Sequence, residues 1–73
     1  MVERLRLAIG IDLGGTKIDI GLVDETGRIY QHQRFETQVA KGAQFIQDQM
    51  LETVREMQKK AETPILGVGI GVA

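Results

Sequence analysis

The sequence contains no cysteine, which rules out disulfide staples and thiolate metal sites at once. Histidine is nearly absent as well. His32 stands alone, with no Cys beside it, so no imidazole–thiolate cluster is available for a transition metal, and its place is expected on an exposed strand face. Charge of one sign is missing too. Nine Lys and Arg against ten Asp and Glu leave a formal net charge of -1. Without a cationic surplus there is nothing to neutralise a phosphodiester backbone, and no nucleic-acid partner is expected. Long hydrophobic runs are also missing. The apolar stretch after Arg6 is broken by Asp12 and Lys17. It is too short and too polar for a secretory core, and far from the roughly 20 apolar residues of a membrane span. The expectation is a cytoplasmic protein with no membrane partner. There is no internal repeat, no low-complexity tract and no linker.

What is present is enough for one small domain over residues 1–73, with 42% apolar residues, too many for a disordered chain. Such a domain is marginal, since a chain this short buries only about 60% of its unfolded surface. Leu5, Leu7, Ile9, Ile11 and Leu13 recur with a period of two and predict a strand over about 5–12. Its other face carries the small residues Ala8 and Gly10, as if something packs closely there. Ile18, Ile20 and Leu22 predict a second strand over 17–23. Asp24-Glu25-Thr26-Gly27 fits a type I turn. A more polar third strand, suited to a sheet edge, follows over 28–37, anchored by Ile29, Tyr30 and Phe35. Ala43, Ile46, Met50, Val54, Met57 and Ala61 then form one apolar stripe at helical spacing, predicting a helix over about 42–61. Glu56 and Lys60 are placed to pair along it, Lys59 and Lys60 suit its C-terminal dipole, and Pro64 marks its end. The final strand, 65–73, alternates Leu66, Val68, Ile70 and Val72 with Gly67, Gly69 and Gly71, which reads as a strand buried on both sides. The order is β-β-β-α-β. The first three strands form an antiparallel meander, and the helix returns the chain to a fourth strand parallel to the first. The apolar, uncapped run up to Ala73 is unlike the polar end of most domains. The expectation is a chain cut in mid-fold, ahead of a true end buried by a partner chain.

The segment with chemistry is Ile11-Asp12-Leu13-Gly14-Gly15-Thr16-Lys17. A dinucleotide fingerprint would need Gly-x-Gly-x-x-Gly opening a helix, but position 12 is Asp and a strand follows. An ATPase P-loop would need Lys before Ser/Thr and again a helix. Here Thr16 precedes Lys17, and the period-two pattern resumes at Ile18. The remaining candidate is a phosphate loop at the tip of a hairpin. Gly14 and Gly15 permit positive φ and close approach, and successive free N–H groups form an anion nest. Thr16 adds a hydroxyl and Lys17 a point charge. Asp12 can hold Mg²⁺, directly or through water. Taken singly, Gly-Gly is a tight turn, Asp12 a solvated strand end and Lys17 a surface lysine. Taken together, with the order of elements around them, they point to phosphate.

Ile9-Gly10-Ile11-Asp12-Leu13-Gly14-Gly15-Thr16-Lys17, followed by Gly21-Leu22-Val23-Asp24, resembles the opening of the ROK family of sugar kinases and repressors. Gly67-Val68-Gly69-Ile70-Gly71 resembles the family's fourth strand. The resemblance implies a ribonuclease H-like α/β half-domain of the actin, hexokinase and heat-shock chaperone superfamily. It implies ATP-dependent phosphorylation of a hexose or amino-hexose hydroxyl, glucokinase-like, with Mg as the metal. Nucleotide and sugar are then the partners, and a homo-oligomer the full-length form. By the same resemblance Asp12 matches the acidic residue near Mg²⁺, through water, and Gly14, Gly15, Thr16 and Lys17 match the phosphate-binding loop. The family's catalytic Asp, its sugar-contacting Glu and His residues, its zinc site and its adenosine pocket belong to later motifs. No catalytic residue is therefore assigned here, and the 73-residue chain alone is expected to be inactive. A first strand beginning near Leu5 leaves no room for the helix-turn-helix of the family's repressors. The alternative reading is a non-catalytic ATP-binding or interaction module of the same superfamily. A small β-rich domain with a Gly-Gly turn is the blandest option, and ATP titration with and without Mg²⁺ separates it from the others.

Overall fold

The computed structural model describes residues 6–61 and 63–72. Leu5 and Ala73, the predicted outer ends of the first and last strands, lie outside the described residues. Four strands and one long helix follow the expected order: β1 Leu7–Leu13, β2 Lys17–Asp24, β3 Ile29–Glu36, α1 Ala43–Lys60 and β4 Ile65–Val72, with a single 3-10 turn at Val39–Lys41. They form one sheet of order β3-β2-β1-β4. β1 pairs antiparallel with β2, β2 antiparallel with β3, and β1 parallel with β4.

The register explains the core. Ile9 lies opposite Leu22, Ile11 opposite Ile20, and Leu13 opposite Ile18, so the alternating apolar residues of both strands meet on one face. α1 lies across that face and buries Val54 and Met57 on it. Ile18 and Ile20 are fully enclosed. Each such side chain contributes about 1.5–3 kcal/mol of apolar burial.

The chain enters α1 through Gly42, whose φ of 89° is open to glycine at little cost. No side chain caps this end, and no acidic residue lies in the first turn. At the other end Lys59 and Lys60 occupy the last turn, and Ala61 leaves the helix in an extended conformation ahead of Pro64. Glu56 and Lys60 do not pair. Among the described residues the ion pairs are those of Asp19 with Arg34 and His32. An exposed pair at a helix end gains little over its hydrated charges, so its absence is no loss.

Two bulges correct the expected faces. Between Leu22 and Val23 the β2–β3 register slips, so that Leu22 faces Gln31 while Val23 faces Ile29. Ile29 and Tyr30 are consequently exposed, and of the three expected anchors only Phe35 packs against the core. The second bulge lies in β4, between the Leu7–Ile65 and Ile9–Val68 pairs. It brings Ile65, not Leu66, to the core edge. Beyond it Val68, Ile70 and Val72 share the helix side of the sheet with Ile9, Ile11 and Leu13. They are nonetheless 47%, 60% and 75% exposed, because α1 lies over β1 and β2 and stops short of β4. The expectation of a final strand buried on both sides is therefore not met among the described residues.

Candidate phosphate-binding site

The Gly-Gly segment is the tip of the β1–β2 hairpin, and no helix starts there. Beyond the Leu13–Ile18 pair the Gly14 N–H donates to the Lys17 carbonyl at 3.0 Å. That bond uses one of the amides expected to face a ligand. The N–H groups of Gly15 and Thr16 make no hydrogen bond among the described residues. Two adjacent donors at an exposed turn are thus left open, the arrangement an anion nest needs.

The reason for the glycines differs from the one expected. Neither Gly14 nor Gly15 adopts positive φ. Gly14 is required by crowding, since a Cβ there would sit 2.9 Å from the Lys17 carbonyl oxygen. Gly15 is in open space, with nothing within 4 Å of a built Cβ. Its bareness serves no packing within the chain and leaves the loop tip clear for close approach.

Asp12 and Lys17 flank the loop on the sheet face opposite α1, and both are exposed. Asp12 lies directly across from Asp19, a like-charge pair that would be unfavourable if left alone. Arg34 donates to Asp19 Oδ1 at 2.7 Å, and His32 Nε2 lies 2.9 Å from the same oxygen. The Arg34 hydrogen bond, aided by that of His32, holds the Asp19 carboxyl below its ordinary value. Asp19 is therefore neutralised from its β3 side. Neither Asp12 nor Lys17 has an ion-pair partner among the described residues. Of the two neighbouring carboxylates, Asp12 is the one left to meet a cation. No group of three metal-ligating side chains converges among the described residues. A single open carboxylate suits magnesium, which keeps most of its waters and takes the rest of its shell from phosphate.

On the same face Gly10 lies between Gly21 and Gly69, and Asp12 lies beside Gly71. Gly10 and Gly69 would meet nothing within 4 Å if given a Cβ. The small residues expected to admit a close neighbour thus form a smooth open strip leading to Asp12. Nothing packs on it among the described residues.

One residue was not singled out from the sequence. Thr37, just past β3, donates its hydroxyl to the Gly14 carbonyl and its N–H to the Thr16 carbonyl, each at 2.9 Å. It lies 23 positions from Gly14, with no local pattern to mark it. An open groove of about 450 Å³ borders this region, lined by Leu13, Gly14, Gly15, Thr37, Ile46 and Met50 among others.

The mixed four-stranded sheet with its single helix matches the N-terminal portion of the actin and hexokinase-like fold. Residues 8–73 match the ROK family, and the chain belongs to it. It is 38% identical over 68 residues to a glucokinase of Thermotoga maritima, covering 93% of this chain and 21% of that protein. Its fold matches the crystal structure of a ROK family glucokinase from Streptomyces griseus in complex with glucose and AMPPNP. That match has a TM-score of 0.76 at 39% identity, over 92% of this chain and 20% of the other. A second solved structure, of a protein from Cytophaga hutchinsonii, matches with a TM-score of 0.66 at 35% identity, over 89% and 21% of the two chains. The chain spans about a fifth of the length of the relatives it matches.

Proposed function

We propose that this chain is the phosphate-binding portion of an ATP-dependent hexose kinase of the glucokinase type. The observation that carries the reading is the pair of open amides at Gly15 and Thr16, set between the exposed side chains of Asp12 and Lys17. The binding of AMPPNP and glucose by the Streptomyces griseus relative supports nucleotide and hexose as the partners.

In this reading the backbone N–H groups of Gly15 and Thr16 donate to terminal phosphate oxygens, with the Thr16 hydroxyl as a further donor. Lys17 brings a positive charge to the same oxygens. Asp12 would hold Mg²⁺, directly or through water, and the bound metal would supply charge neutralisation of the polyphosphate. Phosphoryl transfer asks little covalent chemistry of the protein, so placing and neutralising these oxygens is the main contribution of such a loop.

The test is titration of the chain with ATP and with inorganic tripolyphosphate, with and without Mg²⁺, followed through backbone amide resonances. The Gly15 and Thr16 amides are expected to move most. Lys17→Ala is expected to weaken tripolyphosphate about tenfold or more, as loss of a contact to a charged group does. Asp12→Ala is expected to abolish the Mg²⁺ dependence. Neither should shift the melting temperature, because both side chains are exposed and unpaired. Saturable binding that leaves the loop amides unmoved, or no binding at all, would sink the reading.

A further inference from the structure

The carbonyls of the loop need partners as much as its amides need a ligand. Two of them find the same one. Thr37 donates its hydroxyl to Gly14 O and its N–H to Thr16 O, each at 2.9 Å. Its place is set from two sides. The Lys17–Glu36 pair, the preceding rung of the β2–β3 ladder, fixes its backbone relative to the loop. On the other side its carbonyl accepts the Val39 N–H at 3.0 Å, where the lead-in to α1 begins.

A peptide unit is planar and trans, so its C=O and the N–H that follows point in opposite directions. Drawing the Gly14 carbonyl toward Thr37 therefore turns the Gly15 N–H away from it, toward the open side of the turn. That peptide unit joins two glycines, which resist rotation less than any other pair. The Thr37 hydroxyl is the contact that stops it turning. The main-chain bond to Thr16 O persists whatever side chain stands at 37, so the hydroxyl has its own separable role.

We propose that Thr37 is a positioning residue for phosphate recognition, its hydroxyl holding the Gly14–Gly15 peptide so that the Gly15 amide faces an anionic oxygen. The proposal rests on the phosphate-loop reading above, and Thr37 itself touches no phosphate.

The experiment compares the chain with its Thr37→Val and Thr37→Ser variants, using inorganic tripolyphosphate with Mg²⁺ as probe and amide resonances as readout. Thr37→Val keeps the shape and removes the hydroxyl. It is expected to weaken tripolyphosphate about tenfold, the loss of one well-placed donor, and to move or broaden the unliganded Gly15 amide. Thr37→Ser restores the hydroxyl and is expected to restore affinity to within about twofold. A purely structural Thr37 would change the melting temperature without this split between Val and Ser in affinity. Equal binding by wild type and Thr37→Val overturns the proposal, as does a Thr37→Ser variant as weak as Thr37→Val. Should Thr37→Val not fold, the unmodified chain still decides. The Gly15 amide must be among those that tripolyphosphate moves, and the Thr37 hydroxyl proton must be protected from exchange; failure of either overturns the assignment. If wild type binds no tripolyphosphate, the phosphate-loop reading itself falls. If wild type binds and the variant does too, only the role of Thr37 falls.

Discussion

The two hairpin turns of the meander are built from similar residues and finished in opposite ways. At the β2–β3 turn Asp24 is buried and its carboxylate is saturated. Oδ1 accepts from the Thr26 N–H at 2.8 Å, the Thr26 hydroxyl at 2.6 Å and the Arg28 N–H at 3.1 Å, while Oδ2 accepts from the Tyr30 hydroxyl at 2.7 Å. Gly27 closes the turn with φ of 90° and an N–H bond to the Asp24 carbonyl. At the β1–β2 turn the carbonyls of Gly14 and Thr16 are tied down by Thr37, but the amides of Gly15 and Thr16 are left open, with Asp12 and Lys17 exposed beside them. A turn that satisfies its own groups holds strands together. A turn that leaves two adjacent amides unbonded at the surface has donors free to meet an anion.

Substitutions can break this contrast, beginning with the largest effect. Asp24→Ala removes the acceptor of four hydrogen bonds and is expected to lower the melting temperature more than any other change in either turn. Phosphate affinity measured well below the new melting temperature should be unchanged. If affinity falls with stability, the two turns are not separable.

The acid limb of stability follows from the same carboxylate. Hydrogen bonds from Thr26 and then Tyr30 lower the Asp24 pKa from 3.8 to about 2. A depressed folded-state pKa means stabilisation that is complete above the unfolded value and lost as pH falls through the folded one. Thermal melts at successive pH values should therefore show a loss between about pH 4 and 2 that Asp24→Asn abolishes. A loss of equal size in Asp24→Asn would assign it to other carboxylates.

The glycines sharpen the comparison further. Gly14→Ala must displace the Lys17 carbonyl, which is main chain, and is expected to cost about 1–3 kcal/mol in a denaturant titration. Gly15→Ala meets nothing and requires no positive φ, so stability should hold or rise by up to about 1 kcal/mol while tripolyphosphate affinity falls. Loss of stability at Gly15 without loss of affinity would make it a turn residue only.

The smallest expected change is Tyr30→Phe. The Asp24 bond raises the Tyr30 pKa, so its deletion should return part of the Asp24 depression and shift the acid limb upward by a fraction of a pH unit. An unmoved acid limb would mean that the Thr26 and Arg28 bonds alone set it.

The sequence by itself determined the order of elements, the antiparallel meander with its parallel return, and the position of the Gly-Gly turn. The reason is local: period-two alternation at Leu7–Leu13 and Ile18–Leu22, helical spacing from Ala43 to Met57, and a Gly-Gly pair between two strands each act within a few residues of chain. Only the tertiary structure decided what depends on contacts between distant segments. Thr37 meets Gly14 across 23 positions, and Arg34 reaches across to Asp19, leaving Asp12 as the unpaired one of these two neighbouring carboxylates. The two bulges turned Ile65 inward and Tyr30 toward Asp24, because one extra residue in a strand reverses which side chains face the core. The placement of α1 over β1 and β2, away from β4, came from which apolar faces could be brought together at once, a property of the packed sheet that no single segment carries.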